Sequence, residues 1–216
     1  LISALDGRLD PIALQNALHI ALNKKDVPQI DQHVLRIERK PRFQECRWRL
    51  HLTNGSTLNT DSIVICAGIA SEQLLKELGH QKPLAPVLGQ ALKLNIGEIP
   101  QTWHQWPAVL VRDGINLIPQ KNNQLLIGAT LESNLKPSSS ALEEIKTLKG
   151  SAPKWIQYAT ISSQWHGLRV RPLGSPAPLL EHLEPGLILA TGHYRNGILL
   201  APATAEWVLH QINELT

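Results

Sequence analysis

No methionine occurs among the 216 residues, and cysteine and aromatic residues are nearly as scarce: two cysteines, one phenylalanine, two tyrosines and six tryptophans. Lacking a methionine to start it, the sequence reads as part of a longer chain. Two cysteines, Cys46 and Cys66, cannot build a framework of several disulfides, which fits a reducing compartment. Both fall in apolar runs, and Cys66 is expected to be a small core residue. No run approaches the roughly 18 apolar residues of a membrane span, and no basic-then-apolar secretory signal opens the sequence, so a cytoplasmic location is expected. A strong charge of either sign is also missing: 21 basic against 18 acidic residues leaves +3. The densest basic run, Arg36 to Arg49, alternates with apolar residues as a solvated strand face does, which argues against a nucleic-acid footprint. What is present, 43% hydrophobic and 18% charged residues, suffices for a sizeable core in one or two domains.

Asp10 and Pro11 supply an N-cap and a first-turn proline, and Leu14, Ala17, Leu18, Ala21 and Leu22 fall on one face, which predicts a helix. From Phe43 to Thr53 the period changes to two. Cys46, Trp48, Leu50 and Leu52 lie on one side, Glu45, Arg47, Arg49 and His51 on the other, and the run ends at Asn54-Gly55. The return arm leads into SIVICAG, a β-branched and apolar run suited to a strand buried on both faces. Ser71 and Gly79 bracket a short helix with a cap at each end. Beyond Pro83, VLGQALKLNI, PAVLVRDGINLIPQ and QLLIGAT reverse at Asp113-Gly114 and Asn122-Asn123 and predict an antiparallel meander. Ser140 and Glu143 suggest a capping box for a helix ending at Gly150. The final block holds a strand in GLRVRP, a proline-rich loop to Pro178, a strand in GLILATG and a C-terminal helix that Pro202 begins or extends. This order predicts an α/β fold with an inserted antiparallel sheet: a discontinuous domain of residues 1–83 and 166–216, interrupted by residues 84–165.

The stretch TGHYRNGILLAPATAEW, Thr191 to Trp207, concentrates chemistry. Gly192 and Gly197 allow a tight turn before a helix, where unpaired backbone N–H groups converge around His193 to Gly197. Such a corner favours an anion or a developing negative charge, and Arg195 strengthens the effect. From spacing alone this reading stands level with another, in which the glycines only make the turn and Arg195 pairs with a surface carboxylate.

GHYRNGILLAPATA, with WHGLRVRP, ICAGIAS, PVLGQALKL and DGRLDP, spans Asp6 to Ala205 and resembles the FAD-dependent D-amino-acid oxidase superfamily, most closely the glycine oxidases of thiamine biosynthesis. The resemblance implies a glutathione-reductase-like FAD domain, incomplete and discontinuous here, with a substrate domain of the D-amino-acid oxidase type. It implies that Gly192, His193, Tyr194, Arg195, Asn196, Gly197 and Ile198 line the flavin, with backbone N–H groups where charge accumulates. Ala67 and Gly68 match a close approach of backbone to cofactor. Arg169 matches an arginine that grips the substrate carboxylate with two parallel bonds, and Arg195 a second arginine at flavin and substrate, which makes both the implied catalytic residues. Val34 and Leu35 fall on the adenine side, with no role assigned. Asn116, a substrate-binding residue by position, stands where the family often has an aromatic hydroxyl.

Two further departures are visible. The strand, G-x-G-x-x-G turn and helix that hold the pyrophosphate are absent. RPLGSPAPLLE replaces the more usual T-x-D-x-x-P-like continuation, with Gly174 and Pro178 keeping a loop near the flavin. The implied activity is oxidation of glycine or a small amino acid to the imino acid with hydrogen peroxide formed on reoxidation by dioxygen, supplying thiazole synthesis for thiamine; this stretch alone is expected to be inactive. The implied partners are the amino acid, dioxygen, a thiazole synthase and further copies of the chain, with no metal, nucleic acid or membrane span. The alternatives are a D-amino-acid dehydrogenase or sarcosine-type oxidase of the same superfamily, and a non-catalytic binding or assembly module.

Overall fold

The computed structural model describes residues 7–41, 46–97 and 103–214, so Asp6, Phe43 and Glu45 lie outside the described residues. Helix α1 (Pro11–Lys24) starts where the sequence predicts, with Asp10 Oδ1 accepting from the N–H groups of Ile12 and Ala13 at 2.9 and 3.1 Å. Its apolar face is not covered: none of its residues is buried, and Leu18 is 57% exposed. Local capping and propensity, rather than burial, account for this helix.

Strands β1 (Val34–Arg39), β2 (Trp48–Leu52) and β3 (Thr57–Thr60) pair antiparallel in that order and bury Ile37, Trp48 and Leu52. The turn at Asn54-Gly55 is closed by Asn54 Oδ1, which accepts from the Ser56 N–H at 3.0 Å. Strand β4 (Ile63–Ile65) is shorter than SIVICAG suggests. Ile63 and Ile65 are buried, but the strand ends before Cys66, which is exposed rather than a core residue. Helix α2 (Ser71–Lys76) continues a 3-10 turn at Gly68–Ala70, so Ser71 is already helical and does not cap; its buried hydroxyl has no hydrogen-bond partner among the described residues.

Strand β5 (Leu84–Asn95) opens the predicted meander, followed by β6 (Leu110–Arg112), β7 (Ile115–Pro119) and β8 (Gln124–Gly128). Asp113, Gly114, Asn122 and Asn123 all take the positive φ that these tight reversals require. Helix α3 (Ser139–Lys146) is capped by Ser138 and not by Ser140, since Ser138 Oγ accepts from the Ala141 N–H at 3.3 Å. Helix α4 (Lys154–Gln157) is a single turn, and β9 (Thr160–Pro172) completes a sheet in the order β6-β7-β8-β5-β9. Strands β10 (Leu179–Glu184) and β11 (Leu187–Thr191) form a third sheet with β4, in which β11 runs parallel to β4 and antiparallel to β10. All five residues of β11 are buried. Helix α5 (Gly197–Asn213) starts ahead of Pro202, which lies inside it.

Two compact units result: Leu1–Gln29 with Leu88–Leu168, and Ile30–Val87 with Arg169–Thr216. Leu92, Leu94, Leu125, Ile127 and Ile156 centre the core of the first, and Ile37, Trp48, Ile65, Leu75 and Leu189 that of the second. Residues 7–29 thus group with the meander, and the divisions at 87/88 and 168/169 fall within β5 and β9, close to the 83/84 and 165/166 boundaries expected from the order of elements. A continuous strand carries no compositional mark where its neighbours change.

Candidate functional site

In the second unit, β11 delivers the chain into Gly192, whose φ is +67°. A Cβ there would meet Pro172 Cγ at 2.6 Å and Leu179 Cβ at 3.4 Å, so glycine alone fits both the conformation and the space. Tyr194, with φ +54°, donates its backbone N–H to the Val170 carbonyl at 3.1 Å, and the Asn196 N–H donates to the His193 carbonyl at 3.0 Å. These bonds fold residues 192–197 back onto the end of β9. Asn196 is the N-cap of α5 but its side chain makes no capping bond, which leaves the first N–H groups of a 17-residue helix without a side-chain acceptor. The turn is therefore electropositive through its backbone.

Arg169 lies beside it, partly buried on β9. Burial, and next the positive charge of Arg195, press its guanidinium below the ordinary arginine value, while Tyr194 acts in the opposite direction. Two guanidinium groups that repel one another, one of them partly buried, gain from a bound anion. Arg195 itself is exposed. Burial lowers the His193 imidazole from its usual value, and its ring shares a 2.8 Å hydrogen bond with the Thr204 hydroxyl on α5. That side chain is thus engaged with the helix, and what His193 presents to the turn is backbone.

Gly68 also has a positive φ, +58°, and a Cβ there would sit 3.7 Å from Val170 Cγ2. The Thr191 hydroxyl donates to the Gly68 carbonyl at 3.3 Å. Ala67-Gly68, Arg169-Val170 and residues 191–197 are thereby gathered in one unit, together with Asn196, Gly197 and Ile198 at the helix start. Asn116 lies in the other unit, partly buried on β7. Gly174, φ +74°, and the partly buried Pro178 fall in the loop ahead of β10. Val170, Thr191 and Thr204 support this geometry without having been singled out. The first two stand inside GLRVRP and GLILATG, but nothing in their spacing forecasts which backbone atoms they meet.

A cavity of about 350 Å³ in the same unit is lined by Val34, Leu35, Ala67, Ala70, Gln73 and Leu74, together with Gln32 and His33. It brings the two residues of the adenine-side region against Ala67, and no carboxylate lines it. Tested against FAD, these surroundings fit: small residues where backbone must be approached, an apolar hollow free of acidic groups, and a helix start whose N–H groups suit negative charge. Among the described residues no group of three or more His, Cys, Asp or Glu is placed to hold a metal ion, and no helix is long and apolar enough to cross a membrane.

The family model described as FAD dependent oxidoreductase matches residues 1–211. The chain is 34% identical over 160 residues to a glycine oxidase of Pseudomonas putida, an alignment covering 71% of this chain and 42% of that protein. It is 36% identical over 167 residues to a bifunctional protein ThiO/ThiG of Synechocystis, covering 73% of this chain and 24% of that one. The crystal structure of glycine oxidase from Geobacillus kaustophilus superposes with a TM-score of 0.70 at 25% identity, covering 86% of this chain and 49% of the other. The chain thus spans half or less of the length of these relatives.

Proposed function

Since this chain belongs to the family of FAD-dependent oxidoreductases, we propose that it serves the oxidation of glycine or a similarly small amino acid to its imino acid, with dioxygen reduced to hydrogen peroxide. FAD, when bound, supplies the acceptor for the hydrogen and electron pair leaving the α-carbon. The work of the chain is binding and orientation. The Arg169 guanidinium takes the substrate carboxylate through two parallel charge-assisted bonds, and Arg195 adds a second positive charge at the same place. Asn116 offers an amide to the substrate. Within the run Gly192 to Ile198, the Tyr194 and Asn196 N–H groups are held by the Val170 and His193 carbonyls, and those of Gly197 and Ile198 at the start of α5 meet the negative charge that develops on the cofactor side, already oriented before it appears. Ala67 and Gly68 let the cofactor approach the backbone, and the cavity beside Val34 and Leu35 receives its adenine end.

The observation that carries this reading is the meeting of Arg169, Arg195 and the uncapped start of α5 in one unit. The relative named as a bifunctional ThiO/ThiG protein supports a thiazole synthase as the consumer of the imino product. A cytoplasmic location and assembly with further copies of the chain go with the same reading. The test is to join the chain to the upstream nucleotide-binding segment of the Pseudomonas putida glycine oxidase, load FAD, and follow flavin absorbance and peroxide on adding glycine. Bleaching with peroxide release is expected. Stoichiometric FAD that stays oxidised in glycine and in other small amino acids overturns the reading.

A further inference from the structure

Two adjoining hollows in the unit of the five-stranded sheet share Arg8 and Gln120 among their lining residues. The larger, about 390 Å³, is bounded by Lys93 on β5, by Lys121 and Asn122 in the turn between β7 and β8, and by Arg8 just ahead of α1. The other, about 300 Å³, is walled by Trp103 and Trp106. Trp155 meets both indoles edge-on, with ring centroids 6.3 and 5.6 Å away, which fixes their orientation. None of these residues takes part in the site described above.

The charges are one-sided. Arg8, Lys93 and Lys121 contribute three cations, and none of them enters a salt bridge among the described residues. One carboxylate, Asp10, also lines the hollow, and its Oδ1 accepts from the N–H groups of Ile12 and Ala13. The turn that carries Lys121 is closed rather than loose: the Gln120 N–H donates to the Gln124 carbonyl at 2.7 Å, and the Ile96 N–H to the Asn123 carbonyl at 2.9 Å. Three cations beside one carboxylate leave an excess of positive charge, and a bound anion relieves the repulsion among them. An arginine at the junction can bond an anion with its edge and lie against an indole with its face.

We infer that the two hollows form one binding site for a phosphate ester that bears a planar ring. The phosphate sits among Arg8, Lys93 and Lys121, and the ring lies against the wall of Trp103 and Trp106. A bare inorganic anion would leave the aromatic hollow unused, and an uncharged ring compound would leave the cations unrelieved. The site stands apart from the proposed amino-acid oxidation, so neither depends on the other.

Isothermal titration of the full chain with AMP, ribose 5-phosphate and adenosine tests this, using AMP as the probe of the class. With FAD in excess to fill the cavity beside Val34 and Leu35, saturable binding of one AMP is expected, at least tenfold tighter than either fragment. Lys93→Gln and Lys121→Gln should each weaken AMP at least fivefold, while Lys154→Gln on α4 leaves it unchanged; circular dichroism confirms that the variants are folded. Absence of saturable AMP binding overturns the inference, as does unaltered affinity in both lysine variants, which would lodge the nucleotide elsewhere. Ribose 5-phosphate binding as tightly as AMP overturns the role of the tryptophan wall.

Discussion

The backbone N–H of Tyr194 and the carbonyl of Val170 meet at 3.1 Å, which ties the turn ahead of α5 to the strand residue next to Arg169. Arg169 and the electropositive turn are therefore parts of one rigid arrangement, and displacing either element moves the other.

If Arg169 holds the substrate carboxylate, Arg169→Ala in the FAD-loaded protein joined to its upstream segment raises the KM for glycine. The expected loss is about 1.5–3 kcal/mol for a charged hydrogen-bonded pair, or roughly 10- to 150-fold. Arg169→Lys should recover only part of this, because an ammonium cannot form the paired bonds. Steady-state kinetics of the three proteins checks it, and FAD affinity should stay the same in all.

Gly192→Ala separates backbone strain from steric clash when set beside Gly55→Ala. Both glycines have positive φ, +67° and +82°, but a Cβ at Gly55 meets nothing within 4 Å while one at Gly192 meets the Pro172 ring at 2.6 Å. Gly55→Ala is expected to cost about 1 kcal/mol, and Gly192→Ala a further 1–3 kcal/mol from overpacking. Urea midpoints of the two variants would show the difference.

Glu184 governs an acid-sensitive part of the second unit. Its carboxyl accepts bonds from the Arg39 guanidinium and from His80 at 2.6 Å, and the first of these does most to hold it at about 2, below its usual 4.5. A carboxyl depressed in the folded state contributes stability that is fully present above pH 4.5 and is lost as pH falls from there toward 2. With side chains 45% and 25% exposed for Arg39 and Glu184, solvent screening reduces the contribution to roughly 1–2 kcal/mol. Glu184→Gln should therefore be less stable than the parent at pH 6, with the gap narrowing below pH 4.5; denaturant unfolding at several pH values measures it.

Helix α1 has no buried residue, whereas every residue of β11 is buried. Its amide protons should exchange well before those of β11. Asp10→Ala, which removes the acceptor for Ile12 and Ala13, is expected to cost that helix about 1 kcal/mol and speed exchange in its first turn roughly fivefold, with little effect on β11. Hydrogen exchange resolved by residue tests both statements.

The sequence by itself determined the local punctuation: the cap at Asp10, the reversals at Asn54-Gly55, Asp113-Gly114 and Asn122-Asn123, and the strand in GLILATG. Each depends on the conformational range or hydrogen-bonding reach of one or two neighbouring residues, so spacing alone is informative. The tight turn at Gly192 was legible for the same reason, since a positive φ there calls for glycine. The choice of Ser138 over Ser140 as a cap was not, because several adjacent serines offer nearly the same local bond and downstream packing selects among them.

Only the tertiary structure decided which apolar faces are covered, leaving α1 bare and Cys66 outside the core. It alone decided that β5 and β9 cross between units, and that Thr191 reaches the Gly68 carbonyl 123 residues away. Contacts at such separations arise from how whole strands pair and pack. A window of ten residues contains neither the partner nor the cost of leaving it unpaired, and the site exists only where those distant segments meet.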